Sequence, residues 1–264
     1  MKIKLLLILS LFLFFQNING QIFDTITICN GDSAYIFNNW ETVTGNYSTS
    51  TGVTTLIVNP TPTLTGNFIL NGNAAQPIPN TYQLTQASNS QSGSAWNSVT
   101  LNLTQPFSFD VDMFFGFNNG GADGIAFLLQ QVNTNVGTGG GGIGYQGIMP
   151  SFCVEFDTWQ NNNLGDPAED HASFNINGNM AHPASINGPI TLGNIEDGVD
   201  HNITFNWDPS GNSYELFFDG NLILSGSYDI INNCFGGSSL AYWGYTASTG
   251  GSNNNQIICP IVVE

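Results

Sequence analysis

The stretch that most constrains this chain is Val154-Glu-Phe-Asp-Thr-Trp-Gln-Asn161, followed by Asn162-Asn-Leu-Gly165 and Asp166-Pro-Ala-Glu-Asp-His171. Glu155, Asp157, Trp159 and Asn161 occupy every second position, so in an extended segment all four share one face. That face carries two carboxylates and an amide oxygen. The turn-forming Gly165-Asp166-Pro167 lets Asp166 and His171 fold back onto it. Clustered carboxylates repel, and burying their charge without a partner is costly. A divalent cation resolves the conflict. Carboxylate, amide and carbonyl oxygens suit calcium, whereas the imidazole suits manganese or zinc. The group therefore reads as a metal site for two ions that share Asp157 and Asp166. A half-buried strand with a water-facing loop would account for any one of these residues, but not for the alternation and the turn together.

The charge balance removes whole classes of function. Lys2 and Lys4 are the only basic residues, and both lie in a segment that reads as a secretory signal over residues 1–20. They form its charged start, Leu5 to Phe15 its apolar run, and Gly20 the small residue before the cut. That run is too short to span a bilayer, and no later stretch approaches it without Gly, Asn or charge. The mature chain is expected to be secreted or at the cell surface. Loss of the two lysines takes the formal charge from −17 to −19 and leaves no Lys or Arg. Nucleic acids are excluded as partners, because displacing their counterions needs basic residues. Anionic membrane surfaces are excluded on the same ground. What remains is rich in Gly, Asn, Ser, Thr and aromatic residues, a surface suited to neutral, hydroxyl-rich partners and to cations.

Residues 21–62 differ in pattern from the rest of the chain. Thr25-Ile-Thr-Ile-Cys29-Asn-Gly-Asp-Ser33, Tyr35-Ile-Phe37 and Thr54-Thr-Leu-Ile-Val58 are short β runs between turn signals, and Asn59-Pro-Thr-Pro62 closes them as a linker. About forty residues bury little core alone. The segment resembles small β modules of secreted multidomain Bacteroidetes proteins, with a Cys-x-Gly-Asp-Ser start and a Val-Asn-Pro-Thr-Pro end. It is expected to be a spacer or partial module.

From residue 63 to 264 strand follows strand. Phe107-Ser-Phe-Asp-Val-Asp-Met-Phe-Phe115 alternates as a strand buried on one side should, and Ile125-Ala-Phe-Leu-Leu129 is a continuous apolar run. His201–Trp207 and Ser213–Phe218 make a hairpin around Asp208-Pro-Ser-Gly211. No stretch has a long helical period. The expectation is an all-β antiparallel sandwich. Export permits disulfides. Of Cys29, Cys153, Cys234 and Cys259, the last two flank a hairpin-like stretch and form the expected pair, while Cys153 reads as a free core thiol.

The region from about Leu64 to Cys259 resembles an L-type (legume-type) lectin domain. The resemblance is carried by Ala122-Asp-Gly-Ile-Ala-Phe127, Gly139-Gly-Gly-Gly-Ile-Gly144, Val154-Glu-Phe-Asp-Thr158 with Asn161, Asp166 and His171, and Trp243-Gly-Tyr-Thr-Ala-Ser-Thr-Gly250. It implies a concanavalin-like jelly-roll β-sandwich with sugar bound in loops above two metals. It implies that Glu155, Asp157, Asp166 and His171 hold a transition metal, usually Mn2+. Asp157, Asn161, Asp166 and the Trp159 carbonyl would then hold Ca2+. Asp123, after an unusual cis peptide, matches the acid that accepts from sugar hydroxyls. Gly141, with Gly140 beside it, matches the glycine whose N–H donates to the sugar, and Asn161 serves both calcium and sugar. Chemistry agrees: a sugar presents hydroxyls over an apolar ring face, and needs an acceptor carboxylate, amide donors and an aromatic platform. Asp123, Asn161, the Gly141 N–H and the Trp159 ring supply one of each. Trp159 departs from the usual Phe or Tyr, and the glycine run reads as strand-like where Ile143 and Tyr145 follow it.

The expected partners are thus neutral glycans, polysaccharides or glycoproteins, with oligomer formation compatible. Two other classes compete. A jelly-roll glycoside hydrolase would carry Glu-x-Asp-x-x-Glu, and Glu155-Phe-Asp157 imitates its first half. The last position is Gln160, which cannot deliver a proton, and retaining hydrolysis needs two carboxyl groups about 5 Å apart. A structural or adhesion module would keep the metals as loop staples and bind no sugar. The reading favoured is a calcium-dependent lectin, not an enzyme.

Overall fold

The computed structural model describes residues 22–28, 34–49, 52–58, 67–135, 137 and 139–263. The expected signal at 1–20, Cys29 and the linker ending at Pro62 lie outside these residues. The chain forms two compact units, residues 1–59 and 60–264.

In the first unit, strands Ile22–Ile28 and Gly52–Val58 run parallel, and Gly45–Thr49 adds antiparallel to the latter. Ala34–Ile36 and Asn39–Glu41 form a separate hairpin. Its two turn residues, Phe37 and Asn38, have φ of 45° and 72°, the left-handed pair that a two-residue turn between twisted strands requires. Among the described residues of this unit, Ala34, Ile36 and Leu56 form a buried apolar cluster, with Ile26 and Tyr47 packed against them.

The second unit is a sandwich of two antiparallel sheets. One is ordered Asn187–Gly193, Asp170–Ile176, Ser151–Asp157, Gly124–Gln130, Leu240–Ser248, Ser92–Asn97 and Phe68–Gly72, with the short Leu101–Asn102 also on Leu240–Ser248. The other is ordered Asn221–Ser227, Ser213–Phe218, Asp200–Asp208, Phe107–Phe114, Gln256–Val263, Thr81–Thr85 and Ala75–Ile78. The all-β jelly-roll expectation holds. Helical pieces among the described residues are single turns, at Gly140–Gly142, His182–Ala184 and Ile230–Cys234.

Period-2 alternation decides what each strand contributes. Phe109, Val111 and Met113 from one sheet meet Phe127, Phe152, Val154, Phe156 and Trp243 from the other in the main core. Ring centroids of Phe109 lie 4.4 Å from Phe127 and 4.9 Å from Trp243. Each such side chain, fully buried, contributes about 1.5–3 kcal/mol. Residues between them on the same strands point the other way. Ala126, Leu128 and Cys153 join Ile143, Tyr145 and Ile148 in a second, smaller core under the loops. Gly124–Gln130 and Ser151–Asp157 are therefore buried on both faces.

Two expectations are corrected. Cys234 does not pair with Cys259: Cys259 is disulfide-bonded, whereas Cys234 is a buried free thiol that donates to the Ser151 carbonyl at 3.0 Å. Cys234 sits in the single turn Ile230–Cys234, packed on the core, so it belongs to no cross-linked hairpin. Cys153 is a free core thiol, as read. The segment after the glycine run is not a strand. Gly140–Gly142 is a tight turn, Ile143 takes φ 46°, and Ile143 and Tyr145 are buried as loop plugs in the smaller core.

Candidate functional site

The Ser151–Asp157 strand delivers Glu155 and Asp157 to the loop side of the sheet, opposite Phe156. Its neighbour Asp170–Ile176 runs antiparallel, with Asp157 opposite His171 and Glu155 opposite Ser173. The loop between them returns Asp166. Asp157 Oδ1 accepts from the Trp159 N–H at 2.7 Å, and Asp166 Oδ2 accepts from the Asn161 N–H at 2.5 Å. Each carboxylate thus holds one turn of the loop that begins at Thr158. Glu155, Asp157, Asp166 and His171, expected together, are together, and all are buried. One oxygen or nitrogen each from Asp157, Asp166 and His171 lie within 4.8 Å of one another.

A residue absent from the expectation joins them. His182, on the turn His182–Ala184, brings Nε2 to 2.8 Å from His171 Nε2, 3.2 Å from Asp166 Oδ1 and 4.0 Å from Glu155 Oε1. Its backbone N–H donates to the Leu164 carbonyl at 3.0 Å, tying that turn to the loop carrying Asp166. Its sequence signal was slight: one of three histidines in a chain almost without cationic groups. Tyr145, Ser173 and Asn175 were also missed. The Tyr145 hydroxyl donates to Glu155 Oε2, and Ser173 Oγ donates to Glu155 Oε1 at 3.1 Å.

The electrostatics are those of a cation site. Burial pushes Glu155 up to about 7, against hydrogen bonding from Tyr145. Burial, reinforced by Glu155, raises Asp157 well above the carboxylate range. Burial and then His182 lower His171 to about 4. Asp166 Oδ1 has no hydrogen-bond partner among the described residues. Beyond Lys4 the sequence offers no Lys or Arg to compensate. Three carboxylates and two imidazoles converging in a buried space fit a divalent cation.

A second cluster borders the first. The Ala122–Asp123 peptide is cis, as the resemblance implied. Asp123 is fixed by its backbone, with its N–H donating to Ser248 O at 2.9 Å and its carbonyl accepting from Thr158 N at 3.1 Å. Its carboxyl is buried, yet Oδ2 has no hydrogen-bond partner among the described residues, and burial raises it to about 6. A Cβ placed on Gly250 would stand 3.6 Å from that oxygen and 3.9 Å from Gly140 Cα. A Cβ placed on Gly141 would stand 3.3 Å from Asn161 Oδ1. Ser248 Oγ holds the glycine turn by donating to Gly140 O at 2.5 Å. Asp123, Gly140, Gly141 and Asn161 therefore line one region, and Gly250 closes it. Trp159 is 40% exposed, an accessible ring two residues from Asp157.

The two-sheet jelly roll, with an acidic, histidine-bearing loop cluster at one side, is an architecture that lectin-type domains share. The chain belongs to the legume-type lectin family: the model of the legume lectin beta-barrel domain matches residues 60–261. Among curated relatives, the galactose-binding lectin of Arachis hypogaea is 31% identical over 91 residues, 31% of this chain and 33% of that protein. Pesticidal crystal protein Cry22Aa of Bacillus thuringiensis is 38% identical over 96 residues, 36% of this chain. The alignment spans 13% of Cry22Aa, so the chain matches only part of either relative. Among solved structures, lectin II from Ulex europaeus superimposes with TM-score 0.62 at 17% identity, over 76% of this chain and 93% of its own. The VIP36 exoplasmic/lumenal domain, in its Ca2+/Man3GlcNAc-bound form, gives TM-score 0.61 at 16% identity, over 73% and 81%. The fold is that of carbohydrate-binding lectins.

Proposed function

We propose that this chain is a calcium-dependent lectin that binds neutral glycans at the Asp123 cluster. The observation that carries the reading is Asp123 Oδ2, a buried carboxylate oxygen without a partner among the described residues, beside two glycines and an amide. An orphaned buried acceptor costs about 1–3 kcal/mol, and a sugar hydroxyl removes that cost on binding. The N–H of Gly141 and the side chain of Asn161 would complete the polar contacts, and the Trp159 ring would stack on the apolar face of the sugar. Glu155, Asp157, Asp166 and His171 would hold a transition metal. Asp157, Asn161, Asp166 and the Trp159 carbonyl would hold Ca2+. Bound there, the ions would supply positive charge to these carboxylates, and Asp157 and Asp166, which accept from the Trp159 and Asn161 N–H groups, would hold the loop that presents Asn161. Solved relatives of the fold bound to galactose, GalNAc and mannose glycans support a hexose as ligand class.

Hydrolysis is disfavoured by chemistry. Glu155 is enclosed by Tyr145 and Ser173, and exposed Gln160 stands where the hydrolase pattern needs an acid. The composition of residues 1–20 supports export, so the ligand would be met outside the cytoplasm. A glycan array probed with calcium-loaded and chelated protein tests the reading. Binding of hexose-bearing glycans lost on chelation and restored by Ca2+ is expected. Sugar binding that survives exhaustive chelation would discard the metal-ordered site.

A further inference from the structure

We infer that His182 is a further metal ligand, so that the transition-metal position holds two imidazoles and selects a late first-row ion such as Zn2+ over Mn2+. The inference rests on the metal site proposed above and adds a ligand and a selectivity to it.

The directions of the surrounding hydrogen bonds carry the argument. A carboxylate and a backbone carbonyl can only accept. Both Glu155 oxygens accept, one from the Tyr145 hydroxyl and the other from Ser173 Oγ. With those protons used, the Tyr145 and Ser173 oxygens accept from Asn175 Nδ2, at 3.0 Å and 2.9 Å. Asn175 is thereby oriented with Oδ1 facing away, where it accepts from Ser185 Oγ at 2.6 Å. The Ser185 proton is now spent, so its oxygen accepts from His182 Nδ1 at 3.2 Å. The chain ends by placing the His182 proton on Nδ1 and a lone pair on Nε2.

His171 is set the same way from the other side. Its Nδ1 lies 3.3 Å from the Glu169 carbonyl, which needs a donor, so its Nε2 also carries a lone pair. Two Nε2 lone pairs then stand 2.8 Å apart, with Asp166 Oδ1 at 3.2 Å from one of them. The Asp166 side chain is 1% exposed, and that oxygen has no hydrogen-bond partner among the described residues. A proton shared by the two rings would serve the nitrogens and leave this oxygen alone. A metal ion serves all three.

Imidazole is a borderline-soft donor and favours Zn2+, Ni2+ and Cu2+, whereas carboxylate and water suit Mn2+. The second ring therefore shifts preference along the series. The relay from Glu155 to His182 orients one ligand through another, which is how outer hydrogen bonds tune metal affinity.

The test uses the full mature chain, stripped with chelator, refilled with Ca2+, then titrated calorimetrically with Zn2+ or Mn2+. Zn2+ outranks Mn2+ at most nitrogen and oxygen sites, so the expected result is a Zn2+/Mn2+ affinity ratio in the natural protein that shrinks when His182 is removed. His182→Ala should weaken Zn2+ by roughly tenfold or more and Mn2+ far less. Ser185→Ala keeps the imidazole but frees its tautomer, and should show a smaller loss in the same direction. With Co2+ as probe, the visible absorption band should shift in His182→Ala. Unchanged Zn2+ affinity and an unchanged Co2+ spectrum in both variants would overturn the inference while leaving the metal site standing. A natural protein that takes up no transition metal, or a His171→Ala variant indistinguishable from it, would overturn the site itself.

Discussion

The Tyr145 hydroxyl donates to Glu155 Oε2 while accepting from Asn175 Nδ2, so one phenol links the glycine loop to the acidic strand. Tyr145→Phe keeps the ring that fills the smaller core and removes only this link. Metal affinity should fall roughly 10–100-fold, as when an outer partner of a ligand is lost. Folding stability should fall by about 1–3 kcal/mol, from the Asn175 and Glu155 groups left unmatched. Metal titration and chemical denaturation measure the two separately. A variant with natural metal affinity would show that Tyr145 is only a core filler.

Asp123→Asn preserves shape and one acceptor oxygen but removes the charge, and it should abolish hexose binding while leaving metal content intact. The backbone bonds of residue 123 to Ser248 and Thr158 do not involve its side chain, so the fold should hold. Sugar affinity by calorimetry and metal content by mass spectrometry should separate. Loss of both together would make Asp123 part of the metal scaffold.

Gly250→Ala tests whether the approach to Asp123 is used. A Cβ there meets only ordinary contacts, the nearest being Asp123 Oδ2 at 3.6 Å, so the melting temperature should stay unchanged. The methyl would occupy space beside the orphaned oxygen, and sugar affinity should drop at least about tenfold, or 1.4 kcal/mol. Natural affinity in this variant would move the ligand to another face.

Metal removal should be visible without any sugar. An ion bound only by the folded state stabilises it by mass action, so chelation should lower the melting temperature and Ca2+ should restore it. Identical melting curves with and without chelator would mean that the cluster holds no ion in solution.

Much of the site was legible because a strand repeats every second residue. Glu155 and Asp157 had to share a face, and the antiparallel neighbour brought His171 opposite Asp157. His182 was not legible. It reaches the cluster from a single turn eleven residues beyond His171, a placement decided by the Leu164 carbonyl and not by any periodicity. Tyr145 was seen as strand-like because Ile143 and Tyr145 alternate, yet a left-handed residue at Ile143 lets a loop bury both. The cysteine pairing failed for a related reason. Closeness in sequence said nothing about Cys234 turning inward to the Ser151 carbonyl.

His201 supplies a pH dependence away from the metal cluster. Its Nδ1 lies 2.8 Å from Asp219 Oδ2 and its Nε2 3.3 Å from Asp197 Oδ1, and its ring lies 4.7 Å from that of Phe218. Burial works against the imidazolium, but the two carboxylates outweigh it, and His201 titrates above its ordinary value. A group whose folded pKa is raised contributes stability that is fully present below its unfolded value, about 6.5. That contribution is lost as pH rises through the folded value. Asp197 works in the complementary sense. Despite burial it is held below its ordinary range, first by its close contact with His201, so its contribution is lost only as pH falls through that lowered value. The pair is therefore strongest in mildly acidic solution. Glu196, pushed up to about 7 by burial, also weakens the fold as pH rises, so the natural protein alone cannot isolate His201. The difference from His201→Gln can, because Glu196 is common to both. Denaturation of the calcium-loaded proteins from about pH 5.5 to about pH 8.5 should show the natural chain losing its advantage over the variant as His201 deprotonates. Stability curves that run parallel across that range would show that the Asp197 and Asp219 carboxylates do not hold a charged His201.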